Sequence, residues 1–347
     1  MKSNKIEFFN ETFYHEKLKN GLEVYILPNN KVGDVECSLT VKYGGYNVPF
    51  KLKGKLETVP NGIAHFLEHK MFEQENGTDP FTFYGSTGTY CNALTNYYNT
   101  TYTFTGNNNF EANLNFLLDY VQSPYFTDKN VLKEKGIIIE EIKMYKDVPE
   151  RVLYERILYN LFNKIPTKYS IGGLEEDIKK ITKEDLYKVY NTFYIPSNMF
   201  LVITGNVNSE ECLKIIKENQ SKKIFKETQI KLKDIKEPNK VHKQYEELSF
   251  NITTPYIAYA IKIPINKIKH IDSKLRNMYL ITIFNLLFDV TSEFYEEVKN
   301  DELIDSTFDI ESLDTKEHKT FIILFKSSKY KELITKIDST LKDINIT

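Results

Sequence analysis

The sequence predicts an α+β protein built from two related domains, and three observations support this prediction. The chain has 347 residues, a length that as a soft prior corresponds to two domains with a hydrophobic core each. Strand-like and helix-like segments alternate from the N-terminus to about Glu218. A lysine-rich stretch at residues 222–240 has little periodicity, and beyond it the order of strand and helix is repeated in part. We therefore expect a domain at 1–221, a linker at 222–240, and a second, C-terminally shortened domain at 241–347.

The individual elements follow from hydrophobic periodicity and from turn and capping residues. Short apolar or alternating runs bounded by Gly, Pro or Asn predict strands at residues 22–27, 35–43, 100–104, 199–204, 256–262 and 320–325. Apolar residues three and four positions apart predict helices at 61–72, 113–121, 131–145, 151–162, 273–288 and 329–341. Thr182 with Asp185, and Asn208 with Glu211, have the spacing of helix N-caps, which predicts two further helices.

The overall composition excludes several classes of protein. The formal net charge is −2, which argues against a nucleic-acid or anionic-membrane partner. Residues 1–11 lack the apolar core of a signal peptide, and no apolar run approaches the 18 residues of a membrane span. The cysteines, Cys37, Cys91 and Cys212, are far apart, which favours buried thiols in a reducing compartment. We expect a cytoplasmic protein.

The segment from His65 to His69 reads His-Phe-Leu-Glu-His and has the spacing of a metal site. On the predicted helix His65, Glu68 and His69 share one face. Two imidazoles at positions i and i+4 can bind one Zn²⁺, and a carboxylate on the same face can take a proton from a metal-bound water. The pattern is the inverted H-x-x-E-H motif. The alternative is an amphipathic helix whose histidines only form hydrogen bonds.

A catalytic zinc needs a third protein ligand, and the helix predicted at 131–145 offers candidates. Glu134 and Glu141 are seven residues apart and therefore lie on the same face, two turns from each other. Glu140 points about 100° away from Glu141. The alternative interpretation is a solvated helix edge.

These residues belong to five segments that, in this order and spacing, resemble the pitrilysin/insulinase family of zinc metallopeptidases. The resemblance is closest to a small bacterial branch similar to the mitochondrial processing peptidase. The segments are GIAHFLEHKMFE (62–73), CNALTNYYNTTYTF (91–104), EKGIIIEEIKMYKDVP (134–149), SIGGLEEDIKKITKEDL (170–186) and FYIPSNMFLVITGNV (193–207).

The resemblance implies a role for each residue of the motif. It implies a zinc site formed by His65, His69 and Glu141, with Glu68 as the general base and Glu134 as a supporting carboxylate. It implies an endopeptidase that cleaves extended or unfolded peptides. It also implies two related α/β-sandwich domains, with helices packed on mostly antiparallel sheets, of which the second is incomplete here.

The same resemblance implies that substrate lies against an edge strand at Asn92, Ala93 and Thr95. Ordinary turn and strand chemistry is the alternative for Asn92 and Thr95. Strand addition would explain the recognition of extended peptides through main-chain hydrogen bonds.

The second half of the sequence departs from the family pattern. Many relatives carry an Arg and a Tyr that reach the substrate, whereas residues 292–308 contain no Arg and have Glu293 near its expected position. A non-catalytic subunit that binds peptides, or one that needs a related companion subunit or a homodimer, therefore remains an alternative. A purely structural zinc site is disfavoured, because the other histidines have no partner at ligand spacing.

Overall fold

The computed structural model describes residues 1–226 and 228–342, with the side chain of residue 267 excepted. Residue 227 of the predicted linker and residues 343–347 of the predicted second domain lie outside the described residues. The chain divides into two packing units. The first consists of Met1–Ile142 and Ser170–Asp234, and the second of Lys143–Tyr169 and the described part of Ile235–Thr347. The domain boundaries predicted from sequence stay a prediction.

Within its described residues the first unit contains ten strands, six complete helices and most of a seventh. The strands are β1 (Lys2–Ile6), β2 (Glu11–Lys17), β3 (Glu23–Pro28), β4 (Val35–Val41), β5 (Phe50–Leu52), β6 (Lys55–Glu57), β7 (Tyr90–Thr95), β8 (Thr100–Gly106), β9 (Met199–Gly205) and β10 (Lys231–Leu232). The helices are α1 (Ile63–Met71), α2 (Pro80–Ser86), α3 (Phe110–Val121), α4 (Asp128–Lys146), α6 (Glu175–Lys180), α7 (Lys183–Phe193) and α8 (Ser209–Ser221). Helix α4 extends four residues into the second unit.

The second unit is smaller. Its elements are α5 (Pro149–Leu161), β11 (Tyr256–Pro264), α9 (Ser273–Phe288), α10 (Glu293–Asn300), β12 (Asp309–Asp314), β13 (His318–Lys326) and α11 (Tyr330–Lys342). The strands form an antiparallel sheet in the order β11-β13-β12. Its central strand is buried over all but its last residue. The side chains of Phe321, Ile323 and Phe325 on one face of this strand belong to a separate core that includes Phe284 and Leu333.

A seven-stranded sheet in the order β1-β2-β3-β9-β4-β8-β7 forms the framework of the first unit. Neighbouring strands are antiparallel except for β3 and β9. Every second side chain of β4, such as Cys37 and Leu39, lies on one face of the strand and is buried. These side chains belong to one core with residues from α1, α3 and α7. The α+β fold class with mostly antiparallel sheets is confirmed.

The elements missed in the sequence share a weak local pattern. Strand β1 is exposed at every residue, so its sequence lacks the alternation that marks a half-buried strand. Helix α2 has seven residues and contains Gly85, and its signal is the Asp79 cap followed by Pro80. Strand β12 alternates only weakly in burial. Within the described residues no helix combines the length and the apolar character needed to cross a lipid bilayer.

Candidate metal centre and active site

Helix α1 holds the histidine motif on a face that the core does not cover. Phe66 and Leu67 are fully buried, whereas His65, Glu68 and His69 are half-buried on the opposite side. The helix begins after Gly62, which has φ +84°. A Cβ there would lie 2.5 Å from the carbonyl oxygen of Gly172. Only glycine fits this turn, and the segment around Gly172 thereby packs closely on the start of the motif helix.

Helix α4 brings the predicted acidic ligand to the same place. Ile138 is buried and fixes the orientation of the helix. Glu134, one turn before Ile138, and Glu141, one turn after it, therefore both face α1. The carboxylate of Glu141 lies between the two imidazoles, with Oε1 3.8 Å from His65 Nε2 and Oε2 3.7 Å from His69 Nε2. Glu140 is exposed, as its position on the helix predicts.

The residues His65, His69 and Glu141 could hold a metal ion. One ligand atom from each lies within 4.8 Å of the other two. Donors at zinc-bonding distance in a tetrahedral site are separated by about 3.4 Å, so the observed separations need only a small closure. Two imidazole nitrogens with one carboxylate oxygen form a known ligand set of catalytic zinc, and the donors present therefore fit the ion.

Glu134 orients one of the imidazoles. Its Oε1 lies 3.0 Å from His69 Nδ1, and because an ionised carboxylate only accepts, Nδ1 carries the proton and Nε2 remains available for a metal. Burial alone would lower the pKa of His69, but the hydrogen bond with Glu134 and the charges of Glu134, Glu141 and Glu68 raise it above its usual value. A metal at Nε2 therefore competes with a proton.

Glu68 lies on the same face and is hydrogen-bonded by Thr95, whose hydroxyl and backbone both act to lower the pKa of Glu68. Thr95 Oγ1 donates to Glu68 Oε2 at 2.5 Å. Burial raises the pKa of Glu68, an effect that the charge of Glu141 adds to and that Thr95 and His69 oppose. A half-buried carboxylate with a raised pKa beside a metal site has the properties of a general base or acid.

The predicted substrate residues lie on β7, the last strand of the seven-stranded sheet. One edge of β7 pairs with β8, and in the described residues the other edge is open. Asn92 is exposed and Ala93 half-buried, and the Asn92 side chain accepts from the N–H of Ala93. The side chain of Thr95 is 6% exposed and points to Glu68.

Sequence reasoning missed Lys70, the residue after the motif. Its side chain is fully buried, and Nζ lies 2.5 Å from Glu73 Oε2 and 3.9 Å from Glu134 Oε2. A buried lysine needs a paired carboxylate, so Lys70 partly offsets the negative charge behind His69. The available signal was the i, i+3 spacing of Lys70, in the last turn of α1, and Glu73, just beyond the end of that helix.

Two family descriptions match the chain. The model for insulinase, peptidase family M16, matches residues 55–173, and the model for the peptidase M16 inactive domain matches residues 180–347. A protein of Bacillus subtilis strain 168, named as the uncharacterized zinc protease YmfH, is 40% identical over 312 residues that cover 89% of this chain and 72% of that protein. The chain belongs to peptidase family M16. The resemblance inferred from the five sequence segments is thereby confirmed.

Other M16 proteins support the same conclusion. The crystal structure of a protein described as an M16-like peptidase from Alicyclobacillus acidocaldarius has a TM-score of 0.89 and 32% identity, and it covers 96% of this chain and 78% of that one. A protein of Arabidopsis thaliana, named as the probable β subunit of the mitochondrial processing peptidase, is 29% identical over 56% of this chain and 38% of its own length. The names of the M16 relatives support a metallopeptidase.

Proposed function

We propose that this chain is a zinc-dependent endopeptidase that hydrolyses peptide bonds in extended or unfolded peptides. The observation that carries the proposal is the convergence of His65, His69 and Glu141 beside Glu68. The four residues lie within 55–173, the range that matches the M16 insulinase description. In this proposal the catalytic domain is 1–221, followed by the linker 222–240 and a second domain at 241–347.

The proposed ligands are His65 Nε2, His69 Nε2 and the Glu141 carboxylate. Zinc held there would supply a Lewis acid that polarises the scissile carbonyl and acidifies the attacking water. Glu134 keeps the proton of His69 on Nδ1, so that the other nitrogen faces the site. The Lys70 ammonium, which also pairs with Glu73, lies 3.9 Å from Glu134 Oε2 and stabilises the Glu134 carboxylate.

Glu68 is the proposed general base. Its Oε2 accepts from Thr95, so we assign proton transfer to Oε1. Glu68 takes a proton from the attacking water and then gives it to the leaving amine, a role that suits a carboxyl whose pKa is raised by burial.

The proposed substrate class follows from the open edge of β7. An extended peptide can add to this edge as a further strand, with main-chain hydrogen bonds supplying affinity. Asn92 and Ala93 are the residues we assign to this contact. Folded proteins lack a free strand of this kind, which favours short or unfolded chains.

A second candidate function is that of a non-catalytic or partner-dependent subunit that binds peptides. Residues 180–347 match a description of inactive M16 domains, and the Arabidopsis relative is named as a subunit. A related companion chain or a homodimer would then complete the site. A cytoplasmic location remains a prediction.

The deciding experiment compares zinc-loaded wild type with Glu68→Gln on a quenched-fluorescent peptide library. General-base catalysis contributes about 10²–10⁴-fold, so we expect kcat to fall by that factor while zinc content stays at one per chain. If neither protein cleaves although both bind zinc, the isolated chain is not a peptidase. Activity that appears only after adding a co-purified related chain would support the partner-dependent function.

A further inference from the structure

The hydroxyl group of Thr95 is placed to hold the proposed base rather than to contact a substrate. Thr95 is the last residue of β7, its side chain is 6% exposed, and its Oγ1 lies 2.5 Å from Glu68 Oε2. The side chains of β7 that point to the other face, among them Tyr90 and Leu94, are the exposed ones. A peptide that adds to the edge of β7 would therefore meet its backbone and not the Thr95 hydroxyl.

The direction of this hydrogen bond is determined by its neighbours. Thr100 Oγ1, 3.4 Å from Thr95 Oγ1, gives its proton to the carbonyl oxygen of Tyr43 at 3.0 Å. As the proposed base, Glu68 acts as a carboxylate, which only accepts. The single proton of Thr95 is therefore donated to Glu68 and restricts the rotation of that carboxylate.

The backbone that carries Thr95 is itself held firmly. Thr95 and Thr100 face each other across the β7–β8 hairpin. In its turn the N–H of Asn96 donates to the carbonyl oxygen of Asn99, and the Asn96 side chain accepts from the N–H groups of Tyr98 and Asn99. Gly45 N–H donates to the Asn96 carbonyl oxygen at 2.8 Å. The hydroxyl is thus presented from a rigid element, which is the requirement for positioning another group.

We propose that Thr95 is a positioning residue that fixes the Glu68 carboxylate in the orientation needed for proton transfer. This inference rests on the proposed peptidase function, in which Glu68 is the base. It assigns Thr95 a role distinct from the substrate contact expected from the sequence.

The test uses two substitutions at Thr95. Thr95→Val keeps the shape and removes the donor, whereas Thr95→Ser keeps the donor. Misplacement of a catalytic group costs up to about 10²-fold, so we expect Thr95→Val to lower kcat by about 10- to 100-fold with KM and zinc affinity unchanged, and Thr95→Ser to restore most of kcat. Thr192→Val is the matched control, because Thr192 is buried and its hydroxyl donates to the carbonyl oxygen of Lys188 within its own helix, α7.

A second measurement does not depend on activity. Crystal structures of the zinc-loaded variants should show one Glu68 carboxylate position in wild type and Thr95→Ser, and a shifted or divided position in Thr95→Val. If wild type cleaves no peptide but Glu68 moves only in Thr95→Val, the positioning role stands while the peptidase proposal fails. An unmoved Glu68 with full activity in Thr95→Val would overturn the inference, as would a raised KM at unchanged kcat, which indicates substrate binding.

Discussion

The candidate metal centre of the first unit and the ion pair Glu237–Lys262 of the second unit differ in how their charged side chains are paired. In the second unit both side chains are 1% exposed, and the Lys262 ammonium donates to Glu237 at 2.7 Å and to the carbonyl oxygens of Leu161 and Pro238. Three backbone N–H groups, from residues 163–165, also donate to the Glu237 carboxylate. Every charge is satisfied within the protein.

At the metal centre the acceptors are not balanced in this way. Glu68, Glu134 and Glu141 surround two imidazoles, and Lys70 lies 3.9 Å from Glu134 Oε2, the oxygen that is not bonded to His69. One ligand atom each from His65, His69 and Glu141 lies within 4.8 Å of the other two. Imidazoles and a carboxylate gathered at ligand spacing indicate a cation site, whereas an ion pair saturated by hydrogen bonds indicates a structural role.

The largest expected effect tests the cation-binding half of this comparison. Glu141→Gln removes the anionic ligand, and we expect loss of zinc on dialysis and a fall in kcat/KM of about 10³-fold or more, since the metal supplies several kcal/mol of transition-state stabilisation. Zinc content by atomic emission and peptide cleavage would be measured together. Glu140→Gln, one residue away on the exposed face of α4, is the control and should retain both. Equal zinc content in the two variants would contradict the ligand assignment.

Local spacing in the sequence paired His65 with His69 and offered acidic candidates on a second helix, whereas the choice of Glu141 as the third ligand came from the family resemblance. The i, i+4 pair His65 and His69 and the seven-residue spacing of Glu134 and Glu141 define helix faces, and a helix face persists in any fold that keeps the helix. The contact of Thr95 with Glu68 joins residues 27 positions apart on a strand and a helix, so it depends on how the two elements pack. Strand β1 was likewise unpredictable, because all its residues are exposed and its strand conformation depends on pairing with β2.

A smaller effect, on the stability of the second unit, is expected when the ion pair Glu237–Lys262 is broken. Glu237→Gln leaves the buried Lys262 ammonium without its counter-charge, and removing one partner of a buried pair costs about 3–5 kcal/mol. Hydrogen–deuterium exchange of peptides from α5 and β11 would report the stability of this unit directly. The control is Glu150→Gln, which breaks the exposed pair with Lys326 and should cost about 0–1 kcal/mol. Similar exchange in both variants would show that burial adds nothing to the Glu237 pair.

The smallest expected effect is the pH dependence of the free energy of unfolding of the same unit. Burial alone would raise the pKa of Glu237, but the hydrogen bonds from Lys262 and from the backbone of residues 163–165 lower it to about 2 from an ordinary 4.5. The unfolded chain therefore takes up the proton first as the pH falls. The stabilisation is complete above about pH 4.5 and is lost progressively toward pH 2, with an upper limit of about 3 kcal/mol.

Denaturant unfolding of metal-free protein at several pH values between 6 and about 2 would measure how steeply the free energy of unfolding falls with pH. Glu237→Gln cannot titrate at this position, so its slope below pH 4.5 should be flatter than that of wild type. The variant should differ most from wild type near neutral pH and approach it in acid, because protonation of Glu237 leaves Lys262 as unpaired as the substitution does. If the free energies of unfolding of the two proteins fall in parallel with pH, Glu237 has an ordinary pKa in the folded protein. Its contacts then stabilise the fold without depending on its charge.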